Sequence, residues 1–401
     1  MGQVDTAALL HRFRPVVQYD SRESFYADST AIVTDFVLRE PGQPVRCNTL
    51  MSRDGTLLAS GAPTAGEAQL GLDFLTAPTY PGGHGVSRHD YLDERGHDYV
   101  ADAGRMHVLP GYANQVYGHA ARDDDGRIWL QYWFFYYYND KAFLGIGLHE
   151  GDWEMIQIRL DRNGRPNVAT YAQHAEGERA SWNAVEREQT PDGSAPVVYS
   201  ARGSHASYFQ RGTYPQAPLV PDHNDAGGPR VRPELVVLTD DDPGWARWPG
   251  RWGSTVKRNF FESDSPSAPR EHSQWRDPGA FHQAARPHQV AVAARAALAT
   301  VAADLAPPAP AIEVHREDGR AVIEYSFPWL RAGQAAAVGI LATIDSAEDP
   351  RPPATYSFPV TGPSGSFEHP LELEEREYRV RVAAFSQAGL ESTVVTDALP
   401  A

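Results

Sequence analysis

The chain has 401 residues, of which 41% are hydrophobic and 10% aromatic, so wholesale disorder is excluded and two or three domains are expected. Asp and Glu number 52 against 36 Lys and Arg, and the formal charge of −16 repels phosphate backbones. Nucleic acid is therefore excluded as the main partner. The 34 Gly and 32 Pro residues favour many turns, and hence a mainly β fold.

The sequence also bears on the cellular compartment. Cys47 is the single cysteine, which excludes an intramolecular disulfide. The first residues lack the basic-then-apolar pattern of a signal peptide, and no stretch of about 20 apolar residues could span a bilayer. We therefore expect a soluble cytoplasmic protein without a transmembrane segment, although export by a dedicated secretion system would fit the same sequence. The oligomeric state is left open.

Three stretches of the first half read as strands, and the second and third of them matter most for the site. TAIVTDFVLRE, residues 30–40, reads as a strand, but GRIWLQYWFFYYYN, residues 126–139, is far richer in β-formers. Its two alternating faces are both apolar, which predicts a central strand covered on each side. The next strand, DWEMIQIRLD, places Asp152 and Glu154 on the same face as Ile156, Ile158 and Leu160. An apolar face that ends in carboxylates breaks the pattern, as functional sites often do.

The remaining pattern predicts three parts. Residues 1–283 should form a β-sandwich domain that holds the site, and residues 284–306 an Ala-rich helix with a Pro-rich linker. Residues 307–401 contain short alternating strands at regular spacing, which predicts a small antiparallel β-sandwich. Their Tyr-x-Val-x-Val strand at 378–382 and the GLES stretch near the end resemble a fibronectin type III module, which implies a binding or spacing role.

The stretch LHEGDWE, residues 148–154, has the residue types of a cation site. In an extended strand Asp152 and Glu154 point to one face about 6.6 Å apart, so both can reach one ion. A turn at Gly151 would let His149 fold back to the same point, and Asp140 could return to it from the preceding strand. One nitrogen and three carboxylate ligands suit Mg²⁺, Ca²⁺ or Mn²⁺ better than Zn²⁺. The alternative is a solvated strand end, since the spacing alone is not specific.

Two histidines end the strand-like stretches NVATYAQHAEGE and PVVYSARGSHASYF. We expect His174 and His205 to face the same pocket as ligands, general base or substrate donors, the alternative being ordinary partly buried histidines. Ser204 precedes His205, but adjacent strand residues point to opposite faces, so a catalytic serine–histidine pair is not expected.

Two loops offer weaker candidates. PDHND, residues 221–225, has the residue types of a Ca²⁺ contact without the EF-hand register, and an Asx-rich turn is the preferred interpretation. The tryptophans of WARWPGRWGS, residues 245–254, could stack on a sugar, but we expect them in the core.

Several stretches resemble, in order, the vacuolar protein sorting-associated protein 62 family: FRPVVQYDSRE, LQYWFFYYYN, HEGDWE, YAQH, PVVYSARGSHASYF and WPGRWGS. HEGDWE is also similar to GHRHDWE, the heptapeptide of the necrosis-inducing toxin family. This likeness implies a β-sandwich that binds Mg²⁺ or Ca²⁺ and recognises sphingolipid sugar headgroups at membranes. The spacing H-x-x-D-x-E then assigns His149, Asp152 and Glu154 as ligands, with Asp140 as the fourth.

The chain departs from the toxin pattern at two positions. Gly151 stands where the toxins have a second histidine, and Glu150 stands in place of their arginine. The toxins are secreted and carry disulfides, and this chain shows neither feature, so toxin activity is not carried over.

Three functions remain open at this point. The first is a binding protein whose cation holds a small-molecule, glycan or lipid-headgroup ligand that is hydroxyl-rich or anionic. The second is a metal-dependent hydrolase or lyase in which His205 or His174 acts as general base. The third is a structural cation in an interaction protein.

Overall fold

The computed structural model describes residues 5–34, 37–38, 46–94, 98–141, 147–174, 176–214, 221–254, 265–288, 307–330, 336–346, 353–386 and 392–401. The described residues are mainly β, as predicted. The strands of the first domain are β1 (Val16–Gln18), β2 (Val37–Leu38), β3 (Arg46–Met51), β4 (Leu57–Ser60), β5 (Thr79–Tyr80), β6 (His84–Gly85), β7 (Tyr91–Glu94), β8 (Gln115–Arg122), β9 (Ile128–Asn139), β10 (His149–Leu160), β11 (Pro166–Gln173), β12 (Glu176–Ser181), β13 (Arg187–Thr190), β14 (Gly193–Ser200), β15 (Ser207–Tyr208), β16 (Gly212–Tyr214), β17 (Asp222–Asn224), β18 (Arg230–Val231), β19 (Glu234–Leu238) and β20 (Arg286–Pro287).

Helices are short. The α-helices are α1 (Thr6–Arg12), α2 (Tyr99–His107), α3 (Ser273–Arg276) and α4 (Pro278–Ala284). Single 3-10 turns cover Thr30–Val33, Leu72–Thr76, Pro81–Gly83, Trp182–Ala184, Gly244–Arg247 and Pro269–Glu271. Over the described residues, none of the helices has the length and hydropathy that a bilayer crossing needs.

A seven-stranded sheet with the order β19-β8-β9-β10-β11-β12-β20 forms the centre of the first domain. One face packs against a five-stranded sheet in which β13, β14, β1 and β18 follow one another and β15 lies beside β14. The core between these two sheets contains Leu130, Tyr132, Phe134 and Tyr136 of β9. The first domain is thus a β-sandwich, as the sequence predicts.

The opposite face of the central sheet is covered as well. Trp133, Phe135 and Tyr137 of β9 pack there with the buried Trp245, Trp248 and Trp252 and with residues of β3, β4 and β7. The prediction that β9 is a central strand with two covered faces is therefore confirmed. The tryptophans of residues 245–254 belong to the core, which also agrees with the expectation.

The strand predicted over residues 30–40 is corrected in its first part. Thr30–Val33 form a 3-10 turn, in which the Ser29 hydroxyl accepts from the Ala31 amide and the Thr34 amide bonds to the Ala31 carbonyl. The local hydroxyl offers the backbone a partner that a strand would not use, so capping overrides the β propensity of Ile32 and Val33.

A row of polar side chains crosses the central sheet from β8 to β12. His119, Gln131, Gln157, Thr170 and Arg179 are successive partners in the strand register. Gln131 Nε2 donates to the Gln274 carbonyl at 2.5 Å, and Gln157 Nε2 donates to the Pro278 carbonyl at 2.8 Å. The row therefore satisfies buried backbone groups of the segment that carries α3 and α4, and fixes that segment on the sheet.

The second domain is a two-sheet sandwich. Its strands are β21 (Ala311–Glu317), β22 (Arg320–Ser326), β23 (Ala337–Asp345), β24 (Ala354–Pro359), β25 (Ser364–Glu372), β26 (Tyr378–Ser386) and β27 (Val395–Leu399). They pair as β21-β22-β25 and as β24-β23-β26-β27. The antiparallel sandwich agrees with the prediction for residues 307–401, whereas its likeness to a fibronectin type III module stays a prediction.

The two domains share one interface. The core of the second domain includes Trp129 and Val168 from the central sheet of the first. Arg320 pairs with Asp161 at 2.5 Å across the boundary. The start of the segment predicted as helix and linker, 284–306, is corrected, because Arg286 and Pro287 form β20 and pair in parallel with β12. Residues 289–306 lie outside the described residues.

Backbone contact at Gly151 ties a loop of the first domain to β10. Gly151 has a φ of +61°, and a Cβ there would lie 1.9 Å from the Trp252 carbonyl oxygen. A Cβ on Gly253 would in turn lie 2.2 Å from the Glu150 carbonyl oxygen. Both glycines are needed because the two backbones approach too closely for a side chain on either of them.

We expect Gly151→Ala to lower the free energy of unfolding by roughly 2–4 kcal/mol, because the methyl group adds backbone strain and overlaps Trp252. Gly164→Ala is the matched control, since Gly164 has a φ of +74° and a Cβ added there would meet nothing within 4 Å. That control should lose only about 1 kcal/mol. Urea unfolding of both variants measures the difference, and equal losses would contradict the close approach.

Candidate cation site at the end of the central strands

The site forms where β9 ends and β10 begins. Asn139 pairs with His149, and Asp152 and Glu154 lie opposite Tyr136 and Phe134. Ile156 and Ile158 continue the same alternation into the core between the two sheets. The predicted shared face is thus present, and its acidic end is buried, with Asp152 and Glu154 each 6% exposed. Solvation of a strand end does not account for these carboxylates.

His205 lies between two carboxylates. Its Nδ1 is 2.9 Å from Asp152 Oδ2, its Nε2 is 3.8 Å from Glu23 Oε1, and its ring stacks on Tyr136 with centroids 3.9 Å apart. Burial opposes its protonation, but the hydrogen bonds and charges of Asp152 and Glu23 outweigh burial and raise the pKa of His205 to about 9. At neutral pH the imidazolium therefore offsets part of the charge of both carboxylates.

Glu154 has no such partner. Burial, followed by the charges of Asp152 and Asp222, raises the pKa of Glu154 well above its ordinary value. Within the described parts of the chain, no hydrogen bond to this carboxylate offsets the loss of water. A buried carboxyl group beside two others needs either a proton or a cation.

Asp222 is the centre of a hydrogen-bonded cluster next to Glu154. Its Oδ1 accepts from Ser204 Oγ at 2.5 Å and from the Lys141 ammonium, and its Oδ2 accepts from Tyr208 at 2.6 Å. His174 Nε2 lies 3.0 Å from the same Oδ2. Burial alone would raise the pKa of Asp222, but His174 and Lys141 hold it well below its ordinary value. Asp222 is therefore a fixed negative charge.

Asp140 and His149 lie at the solvent side of the site. The Asp140 amide donates to the Gly203 carbonyl at 3.2 Å, and its carboxylate packs where a Cβ on Gly203 would be only 2.1 Å away. Loss of water at this carboxyl group raises the pKa of Asp140, although the charge of His205 opposes the rise. His149 is half-buried, and its Nδ1 lies 2.7 Å from the Gly151 carbonyl oxygen, so its Nε2 is the nitrogen left for a ligand.

The structure places the six predicted site residues at one end of the central sheet but does not close the four predicted ligands around one point. Among the described residues, the group of three His or carboxylate ligand atoms within 4.8 Å of one another is Asp20, His223 and Asp225. For Asp140, His149, Asp152 and Glu154 the ligand assignment stays a prediction.

The loop at residues 221–225 is divided between two environments. Asp222 points into the cluster described above, whereas the exposed Asp225 lies near the half-buried His223 and the buried Asp20. Asp225 Oδ1 accepts from the Ser21 amide at 2.7 Å and from the Gly227 amide at 2.8 Å. The Gly227 contact forms an Asx turn, as expected, while the alternative of a Ca²⁺ contact at this loop stays a prediction.

Sequence reasoning missed residues that come from distant parts of the chain. Glu23, Lys141 and Tyr208 each contact a predicted site residue or Asp222, and none of them has a recognisable spacing to HEGDWE. Glu23 and Tyr208 do occur within FRPVVQYDSRE and PVVYSARGSHASYF, so the family resemblance was the one signal that marked them. The Ser204 hydroxyl bonds to Asp222 and not to His205, as expected.

The model of the Vps62 family, vacuolar protein sorting-associated protein 62, matches residues 132–222. That range contains all six predicted site residues. The putative vacuolar protein sorting-associated protein TDA6 of Saccharomyces cerevisiae is 31% identical over 111 residues, which are 23% of this chain and 24% of the yeast protein. The match thus spans about a quarter of that relative, and the resemblance to Vps62 is confirmed for this part of the chain.

Solved structures give weaker likenesses. A toxin fold described as a basis for microbial attack and plant defense is 12% identical, covers 59% of this chain and 76% of that chain, and has a TM-score of 0.27. NLPPya in complex with glucosamine is 12% identical over 38% of this chain and 61% of that chain, with a TM-score of 0.25. A myokine structure is 24% identical over 24% of this chain and 99% of that chain, with a TM-score of 0.18. Scores this low carry no conclusion about the site.

The imidazolium of His205 gives a pH dependence with a definite sign. Because its folded pKa of about 9 is above the ordinary value of 6.5, its contribution to stability is complete below pH 6.5 and is lost as the pH rises through 9. We expect the wild type to be more stable than His205→Gln near pH 6, and this difference to shrink towards pH 9.5. Urea unfolding with a chelator present measures it, and a difference that grows with pH would contradict the assignment.

Proposed function

We propose that this chain is a divalent-cation-dependent binding protein. Asp152 and Glu154, with Asp140 and His149, would hold the cation, which in turn would bind a polar, hydroxyl-rich or anionic ligand at the end of the central strands. The observation that carries the proposal is the buried carboxylate of Glu154, which lies near two further carboxylates without a hydrogen-bond donor among the described residues.

The carboxylates beside Glu154 already have cationic partners. Asp222 already has the Lys141 ammonium and His174 as partners, and Asp152 has His205. Glu154 is the carboxylate whose charge is left over, so a bound cation would remove an electrostatic penalty that the fold itself does not offset. Oxygen ligands with one imidazole nitrogen suit Mg²⁺, Ca²⁺ or Mn²⁺.

Hydrogen bonds from neighbouring residues would hold the proposed ligand residues in place. His205 orients Asp152 through its Nδ1, and Glu23 in turn accepts from the backbone amides of Phe25 and Gly203 at 3.0 and 2.9 Å. Such outer contacts fix ligand geometry in metal sites. Asp140 and the half-buried His149 lie towards solvent, where an entering hydroxyl or anionic group could reach them.

The alternative function is a metal-dependent hydrolase or lyase. Within it, the geometry favours His174 over His205 as the general base. His205 is fully buried and both of its ring nitrogens face carboxylates, so it has no path to a substrate proton. The side chain of His174 is 40% exposed. Its Nε2 lies 3.0 Å from Asp222, which orients the ring and leaves Nδ1 for a substrate proton. A third function, a structural cation, would show stability loss without any effect on ligand binding in Asp152→Ala.

We expect Glu154→Gln to abolish binding of Mg²⁺, Ca²⁺ and Mn²⁺ and to leave the cation-free protein as stable as the wild type or about 1 kcal/mol more stable, because the substitution removes the cost of keeping this buried carboxyl group either charged or protonated. Calorimetric titration measures the binding, and urea unfolding with a chelator measures the stability. Glucosamine and inorganic phosphate are then titrated with the best ion present and absent.

Glu178→Gln is the matched control. Glu178 is also buried on the central sheet, but it accepts from His288 at 3.1 Å and Arg286 at 3.4 Å. This variant should lose about 3 kcal/mol of stability and keep cation binding. The proposal fails if the wild type binds none of the three ions, or if Glu154→Gln binds them as tightly as the wild type.

A further inference from the structure

A crevice of about 470 Å³ lies between the two domains, at the opposite end of β10 from the candidate cation site. Arg159 of β10 and Arg179 of β12 line it, together with Trp129, His282 and Tyr356. Arg159 is five positions beyond Glu154, roughly 16 Å along the strand. A volume of this size is ordinary for a small-molecule site, and such sites occur preferentially at domain interfaces.

The two arginines keep hydrogen-bond donors unused. Arg159 donates from Nε to Asn167 Oδ1 at 3.2 Å and from Nη2 to the Pro370 carbonyl at 3.4 Å. Arg179 donates from Nη1 to the carbonyls of His282 and Gln283, both at 3.2 Å, whereas its Nε is buried without an acceptor in the described structure. A guanidinium group has five N–H donors in a planar fork, so each arginine retains donors for an incoming anion.

The charges of these arginines are also unpaired. Over the described ranges, no carboxylate lies within 4.0 Å of either guanidinium group. Arg320 and Arg127, by contrast, have carboxylate partners, Asp161 and Glu372. Each of the two unpaired groups instead lies 5.7 Å from an aromatic ring centre, Arg159 over Trp129 and Arg179 over Tyr356.

His282 forms the base of the crevice without adding or removing charge. Its Nδ1 lies 2.6 Å from Thr170 Oγ1 and its Nε2 lies 2.6 Å from the Tyr356 hydroxyl, which joins the two domains. Burial, followed by the charges of Arg159 and Arg179, lowers the pKa of His282 well below its ordinary value. The ring is therefore neutral, and the base of the crevice keeps the positive charge of both arginines.

Four aspartates also line the crevice: Asp123, Asp124, Asp125 and Asp277. Asp123 accepts from the Trp129 indole at 2.7 Å, and Asp277 accepts from the Ala280 amide at 2.8 Å, so both have local structural partners. Asp124 and Asp125 are exposed to solvent, where their charges are screened. These carboxylates would oppose a large polyanion more than a small molecule with one anionic group.

We propose that this crevice binds a small molecule with a carboxylate or phosphate group, held by Arg159 and Arg179, and with an apolar body against Ala354 and Leu371. Planar guanidinium forks suit both anions. Because its walls come from both domains, a bound ligand would also stabilise their contact. The proposal does not depend on the cation site.

The test is calorimetric titration of the full chain, with a chelator present, using benzoate, phenyl phosphate and inorganic phosphate. Benzyl alcohol is the neutral control. We expect saturable binding of benzoate or phenyl phosphate, no binding of benzyl alcohol, and competition by inorganic phosphate if phosphate is the favoured group. Arg179→Gln should weaken binding about tenfold or more, as expected for a lost charged hydrogen bond.

Arg187→Gln is the matched control, because Arg187 lies 5.7 Å from the Trp182 ring centre but is exposed and outside the crevice. It should bind as the wild type does, and so should Glu154→Gln. If Arg179→Gln unfolds, Arg159→Lys keeps the charge but not the fork and should still weaken binding. Absence of saturable binding by any anionic probe, or equal affinity in the Arg159 and Arg187 variants, would overturn the proposal.

Discussion

Strands β9 and β10 pair along their whole length in the middle of the seven-stranded sheet, and both faces of this pair are covered. Their backbone groups bond to each other, and residues 128–133 of β9 and 156–160 of β10 also pair with β8 and β11. Every other layer is attached to it: the five-stranded sheet on one face, and the tryptophan-rich loops and short helices on the other. The candidate cation site and the interdomain crevice lie at its two ends.

Charges at one end of this pair are tolerated because most of them are matched locally. Glu23 and Asp152 share the imidazolium of His205, while Asp222 has Lys141 and His174. These matches come from segments far apart in sequence and converge only after the two sheets have packed. Glu154 has no cationic partner among the described residues of this cluster. Cation binding by the wild type and by Glu154→Gln therefore separates a true cation site from a group of acidic residues that binds no ion.

Much of the architecture could be predicted from local pattern. The two apolar faces of β9 and the alternating pattern of β10 identify the centre of the sheet. Successive side chains of a strand point to opposite faces, so the apolar positions fix which face is buried. The Ser29 cap, by contrast, turned part of an apparent strand into a 3-10 turn.

Parts of the site could not be predicted in the same way. HEGDWE marks where acidic residues enter the sheet, but the partner of Asp152 is His205, and the base of the cluster is Asp222. Such pairings depend on how loops cross over the ends of strands, and no short spacing in the sequence encodes them. The polar row from His119 to Arg179 is likewise visible only in the strand register, because each strand contributes a single residue.

The sharing of Trp129 and Val168 with the core of the second domain has a consequence for how the chain can be divided. Both residues belong to the central sheet of the first domain, yet most members of the core cluster that contains them lie beyond residue 307. Cutting the chain at the linker would expose an indole ring and a branched aliphatic side chain on the central sheet. The first domain by itself would therefore expose apolar surface that promotes self-association. Such association would result from the truncation and would not be a property of the intact chain.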